Sequence, residues 1–153
     1  MDTLRIETGL KEIQIADEDG NVACTVRLNP TDMYFAEKLL DTMADIGDLY
    51  TDYVNKSKEI DEIEDSDKSN IQFIELGRTA DTQIREKING LFGQDICTPL
   101  VGSMRIYAMA NGFPVWANIV FAFIDLFDEN LTKEKKKQNP RIEKYTKKYS
   151  RKR

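Results

Sequence analysis

The residues able to do chemistry are few, and most of them share one stretch. INGLFGQDICTPLVGS, residues 88–103, sets Gly90, Gly93 and Gly102 around Asp95, Cys97 and Thr98-Pro99. Backbone amides in such a loop could cradle a phosphate, and the thiol and carboxylate could meet a substrate. A GxxxxGK[ST] loop, however, needs a lysine and a hydroxyl after its last glycine, and neither Gly90 nor Gly93 begins such a run. GxGxxG is absent as well, and helical rather than strand periodicity precedes the glycines. The expectation is a turn, with Asn89-Gly90 and Gly93 ending one helix and Asp95 or Thr98 capping the next.

No other constellation is better placed. The chain has no histidine, which removes the commonest general base and zinc ligand. Cys24 and Cys97 fit no CxxC spacing, and both are expected to be buried small hydrophobes in a reducing compartment. Glu59, Asp61, Glu62, Glu64, Asp65 and Asp67 crowd one segment. A catalytic carboxylate needs desolvation or a partner, and this segment reads as a solvated break. DEDGN at 17–21 stops short of a calcium loop. The sequence therefore nominates no catalytic, cofactor-binding or metal-binding residue, and a non-enzymatic role is expected.

The elements that would position any site read as an α+β, mainly α chain. Period-two alternation predicts strands at 4–8, 11–16 and 22–28, a small antiparallel β-meander with Asp19-Gly20 at a hairpin turn. Thr31 is a plausible N-cap for a long helix to about residue 63, with a stripe of Phe35, Leu39, Met43, Ile46, Leu49 or Tyr50, and Tyr53. A second helix fits 69–91, capped by Ser69 and striped by Phe73, Ala80, Ile84, Ile88 and Leu91. A short third helix is expected to end at Asn111-Gly112. Pro114 then opens a fourth, apolar on nearly every side and hence central. FPVWANIVFAFIDLF is too short to span a membrane and contains Asn118 and Asp125. MDTLRIETGLKE has no apolar core of a signal peptide.

Residues 1–132 form the expected globular domain, with 1–28 as meander and 31–132 as the helical part. Residues 133–153 form a basic tail, expected to be disordered or a frayed helix end. The tail carries 11 Lys or Arg against 2 Glu, and the body 11 against 25, so +9 faces −14. Such a tail suits an acidic protein partner, nucleic acid through Tyr145 and Tyr149 between cations, or plain solubilisation. The acidic body argues against a phosphate backbone. A small nucleic-acid-binding regulator using the tail is the alternative function.

One stretch resembles a known family. R-x-x-D-x-x-I-R-E-K-I-N-G-L-F-G-Q-D-I-C spans residues 78–97, the aromatic-rich FPVWANIVFAFIDLF follows, and KYTKKYSRKR ends the chain. Over residues 26–153 the chain resembles the small tail assembly chaperones of long-tailed, siphovirus-type phages and prophages of Gram-positive bacteria. The resemblance implies a protein of the bacterial host cytoplasm, absent from the mature virion. It would bind the phage tape-measure protein, keep it soluble and help recruit tail-tube subunits, the major tail protein being met through a frameshift-extended form. It implies no catalytic residues. Phe92, Trp116 and Phe123 are the apolar candidates for partner binding, and Lys135, Lys136, Lys137, Arg151, Lys152 and Arg153 the charged ones. Self-association is compatible with this role, and Met33, Met43, Met104 and Met109 could furnish an adaptable surface, though core packing is the plainer role for most.

Overall fold

The computed structural model describes residues 1–137 and 141–150. Its order is β1 (Lys11–Ala16), β2 (Val22–Leu28), α1 (Met33–Asp61), α2 (Ser66–Phe92), α3 (Cys97–Val101), β3 (Met109–Ala110), β4 (Phe113–Pro114), α4 (Val115–Lys137) and α5 (Arg141–Ser150). The chain is mainly helical, with an N-terminal antiparallel hairpin packed on the helices.

The hairpin turns where Asp19-Gly20 predicts. The Asp17 carboxylate accepts from the Asp19 and Asn21 amides, both at 3.0 Å, and Gly20 adopts φ 85°. DEDGN is thus an Asx-type turn whose carboxylate already serves the backbone. Lys11 pairs with Leu28 and Ile15 with Cys24, and a bulge falls between Ile15 and Ala16. The expected strand at 4–8 does not form. The sheet has two strands, and residues 1–10 lie exposed outside it. Alternation gives Leu4 and Ile6 strand character, but pairing also needs a neighbouring edge, and their own chain leads them elsewhere.

Asn29 makes the corner. Its Oδ1 accepts from the Thr31 amide at 2.8 Å and hydroxyl at 2.7 Å, so Thr31 belongs to the turn, and Asp32 is the N-cap of α1, accepting from the Tyr34 amide. Asp65 rather than Ser69 caps α2, accepting from the Asp67 and Lys68 amides. The charged break is therefore only residues 62–65, too short for anything but an antiparallel return. Lys87 meets Asp45 at 3.6 Å and the Ser69 hydroxyl meets the Ile60 carbonyl at 3.4 Å, one tie at each end of the α1–α2 hairpin.

The third helix is a single turn, and Asn111-Gly112 does not end it. Asn111 (φ 54°) and Gly112 (φ 86°) are the two turn residues between β3 and β4. A helix C-cap and a type I′ hairpin both demand positive φ, so Asn-Gly serves either. Pro114 lies in β4, and α4 starts after it, with the Val115 and Trp116 amides satisfied by the Ala108 and Ile106 carbonyls.

α4 crosses the core. Trp116, Ile119, Val120, Phe123 and Phe127 are buried, but Phe121 and Ala122 are exposed, so the helix is not covered on every side. Phe35 stacks on Phe127 at 5.5 Å and meets Phe92 at 5.6 Å, while Phe92 meets Phe123 at 4.9 Å. This cluster ties α1, α2 and α4 together, and Val26 and Leu28 of β2 complete the core beside it. The tail is helical where described. α4 continues unbroken past residue 132 to Lys137, and α5 follows. Lys and Glu are good helix formers, and Lys135, Lys136 and Lys137 sit in the last turn of α4, where cations suit the helix dipole.

Candidate functional site

The stretch that looked most like a reactive loop is a piece of scaffold. Asn89 Oδ1 accepts from the Ile96 and Cys97 amides at 2.9 and 3.2 Å, and its Nδ2 donates to Asp95. Asp95 in turn accepts from the Thr98 amide at 3.0 Å, and that hydrogen bond holds its carboxyl below the usual range. Gly93 is the left-handed cap of α2 at φ 65°. Neither thiol is poised as a nucleophile. Burial pushes Cys97 up to about 12, and burial, followed by the negative charge of Asp95, raises half-buried Cys24.

A second polar node lies upstream. Asp81, with its side chain 8% exposed, accepts from Arg85 Nε at 3.1 Å and from the Ile106 amide at 2.7 Å, and faces Arg105 at 3.6 Å. Arg85 also donates to the Gly102 and Met104 carbonyls at 2.8 and 2.6 Å. Every polar group here is engaged in fixing residues 102–106 against α2. Among the described residues, no three or more His, Cys, Asp or Glu side chains are grouped to hold a metal ion. No described helix is long and apolar enough to cross a membrane.

What the scaffold holds is a groove. A cleft of about 570 Å³, open on one side, runs between β1 and α4. One wall is six consecutive residues, 13–18. Residues 13–16 belong to β1 and 17–18 to the turn; successive side chains of a strand point to opposite faces, so a cleft touching all four strand residues runs along the strand's edge rather than over a face. The facing wall is Val115, Asn118, Ile119, Ala122, Phe123 and Leu126, one stripe of α4 at helical spacing. Leu100, Val101, Met104, Met109 and Ala110 complete the lining. Lys11 Nζ reaches Asn130 Oδ1 at 3.3 Å beyond one end, and Asp17 and Glu18 mark the other. Met109 is 63% exposed and Met104 46%, and the exposed Phe113 and Phe121 meet edge to face at 5.2 Å.

The residues nominated from the sequence fall in different places. Phe92, Trp116 and Phe123 are core side chains. Phe92 and Phe123 belong to the phenylalanine cluster, Trp116 is edge-on to Tyr50 at 5.7 Å, and only Phe123 also touches the cleft. Lys135, Lys136 and Lys137 are exposed at the end of α4. Arg151, Lys152 and Arg153 lie outside the described residues. Of the four methionines, Met104 and Met109 line the cleft, Met33 is exposed elsewhere and Met43 packs on the core. Ala122, Asn118 and the β1 edge were missed. Their signal was the second apolar stripe of α4, Val115, Ile119, Ala122 and Leu126, which a two-stranded sheet is too small to cover.

Comparison with known proteins finds no matching family model, no matching curated protein and no matching solved structure.

Proposed function

We propose that this protein is a tail assembly chaperone of a long-tailed phage or prophage, binding segments of the tape-measure protein in the β1–α4 groove and keeping them soluble. The groove is the observation that carries this reading: an apolar cleft with two exposed methionines in its lining, on an acidic body. A chaperone for one long amphipathic coil must accept many registers, and hydrophobic burial, being non-directional, permits that where a fixed set of hydrogen bonds would not. Flexible thioethers adapt to different side chains. Each seated Leu, Ile or Phe contributes about 1.5–3 kcal/mol before ordering costs. The acidic body governs approach and orientation. The role includes release to the major tail protein as the tube grows, in the cytoplasm of the bacterial host.

Co-expression with the tape-measure protein tests it. The partner's soluble fraction should rise, the two should co-purify, and the complex should survive raised salt, which screens only charge contacts. Ala122→Glu places a carboxylate on the exposed groove wall without touching the core, and should abolish capture while leaving the melting curve in place. An insoluble tape-measure protein with no co-purification would sink the proposal. Nucleic acid retained on the protein and stripped by salt would put the regulator reading in its place.

A further inference from the structure

We propose that residues 4–8 of a second copy of this chain dock along the free edge of β1, so that the free protein is a dimer built by exchange of N-terminal strands. This rests on the groove being a docking surface, but not on the identity of the client.

Four observations converge on it. The first is the free edge, since β1 has β2 on one side and no strand on the other among the described residues. An unpaired edge beside an apolar wall is a template for another strand, and a lone two-stranded hairpin gains most from a third. The second is an unused strand. Leu4 is 88% exposed and Ile6 77%, on alternate residues of a segment with strand character and no pairing of its own. The third is size. The bulge at Ile15/Ala16 limits the regular edge to residues 11–15, five positions, and residues 4–8 are also five. Either segment is ~17 Å long when extended, and the groove stripe of α4 from Val115 to Leu126 is ~18 Å. Laid there, Leu4 and Ile6 would face Ile119, Ala122 and Leu126, with Arg5 outward near Glu12.

The fourth decides between the chain's own segment and another copy's. The Thr8 carbonyl accepts from Asn29 Nδ2 at 2.9 Å, and a Cβ on Gly9 would lie 2.5 Å from that nitrogen. Asn29 follows the end of β2, so this anchor ties residues 8–9 to the end of β2 rather than to the free edge of β1. Folding back in cis would break it. Exchange between two copies keeps both anchors, and a two-fold arrangement makes the two contacts identical.

Light scattering behind size exclusion, on the full chain without client at tens of micromolar, should give twice the 17.6 kDa chain mass. Leu4→Asp/Ile6→Asp, both at exposed positions, should halve it while leaving the far-UV spectrum unchanged. In a Cys24→Ser background, mixed Arg5→Cys and Glu12→Cys chains treated with a short bismaleimide should give a linked pair containing one of each. A monomeric wild type overturns the inference. So does a dimer that survives Leu4→Asp/Ile6→Asp, or an intrachain link in a monomeric double-cysteine chain. If the dimer dissolves in Leu4→Asp/Ile6→Asp and tape-measure capture persists, the exchange stands apart from the chaperone reading. A dimer with no capture at all removes the chaperone reading alone.

Discussion

Asp81→Ala is the sharpest probe of how the groove is held. The carboxylate is almost fully buried and serves the Ile106 amide, Arg85 and Arg105 together. Removing it leaves the Ile106 N–H without its acceptor, which costs about 1–3 kcal/mol. Arg85 loses its ion pair but keeps two carbonyl acceptors, so its charge is not stranded. Arg105 is 42% exposed, and its share is screened to little. The sum is about 3 kcal/mol, the low end for breaking a buried pair, and a large part of a domain's 5–15. Urea unfolding at pH 7 should show that loss, and the melting midpoint should fall by about 6–12 °C. Asp81→Asn keeps an acceptor for Ile106 and should lose about half as much. Met104 is held through the same node, so tape-measure capture should weaken more than stability alone explains. A loss under about 1 kcal/mol for Asp81→Ala would refute this accounting.

Two further expectations follow from the packing. Cys97 is neutral in the fold because burial pushes its pKa up to about 12, whereas an unfolded thiol ionises near 9.0. Its stabilisation is therefore complete below about pH 9 and is lost as the pH climbs toward 12. Urea midpoints across pH 7–10.5 should fall, less steeply in Cys97→Ala, and fast reaction of Cys97 with a thiol reagent at pH 8 would contradict its burial. Gly77→Ala should cost about 1 kcal/mol despite the better helix propensity of alanine. The new methyl meets the Tyr107 hydroxyl, whose ring lies against Tyr53 at 4.6 Å. Adding Tyr107→Phe should restore the midpoint, and no rescue would place the strain elsewhere.

The long helices were legible because their signal is local. Phe35, Leu39 and Ile46 repeat at helical spacing within one element, as do Ala80, Ile84 and Ile88, and all six are buried. The 88–103 stretch was legible as a turn because the residues a phosphate loop needs were missing. The cap positions slipped because Asp32 and Thr31, or Asp65 and Ser69, offer equivalent oxygens, and which one is free to cap is decided by side-chain bonds such as those Thr31 donates to Asn29 in the preceding turn. The third strand failed because alternation in residues 4–8 says nothing about where an edge will be. In the tail, Lys and Glu carry helix propensity without apolar surface, so 133–137 extend α4 and 141–150 form α5 with little to pack on. Of the groove, only the second apolar stripe of α4 left a local signal; the pairing of its walls did not. Its walls, β1 and α4, come from opposite ends of the chain, and no periodicity spans that distance.

The same distance governs when the groove can exist. Lys11 and Asn130 touch across a separation of 119 residues. At ribosomal speeds of about 5–20 residues per second, β1 leaves the ribosome roughly 6–24 s before its opposite wall. Through that interval the hairpin has no α4 to rest on, and two strands alone are marginal in water. The α1–α2 hairpin, built on local contacts, can form meanwhile. A nascent chain of this protein therefore has helices before it has the β1–α4 cleft. Through that interval the unpaired edge of β1 also has no α4 beside it to limit pairing with another chain.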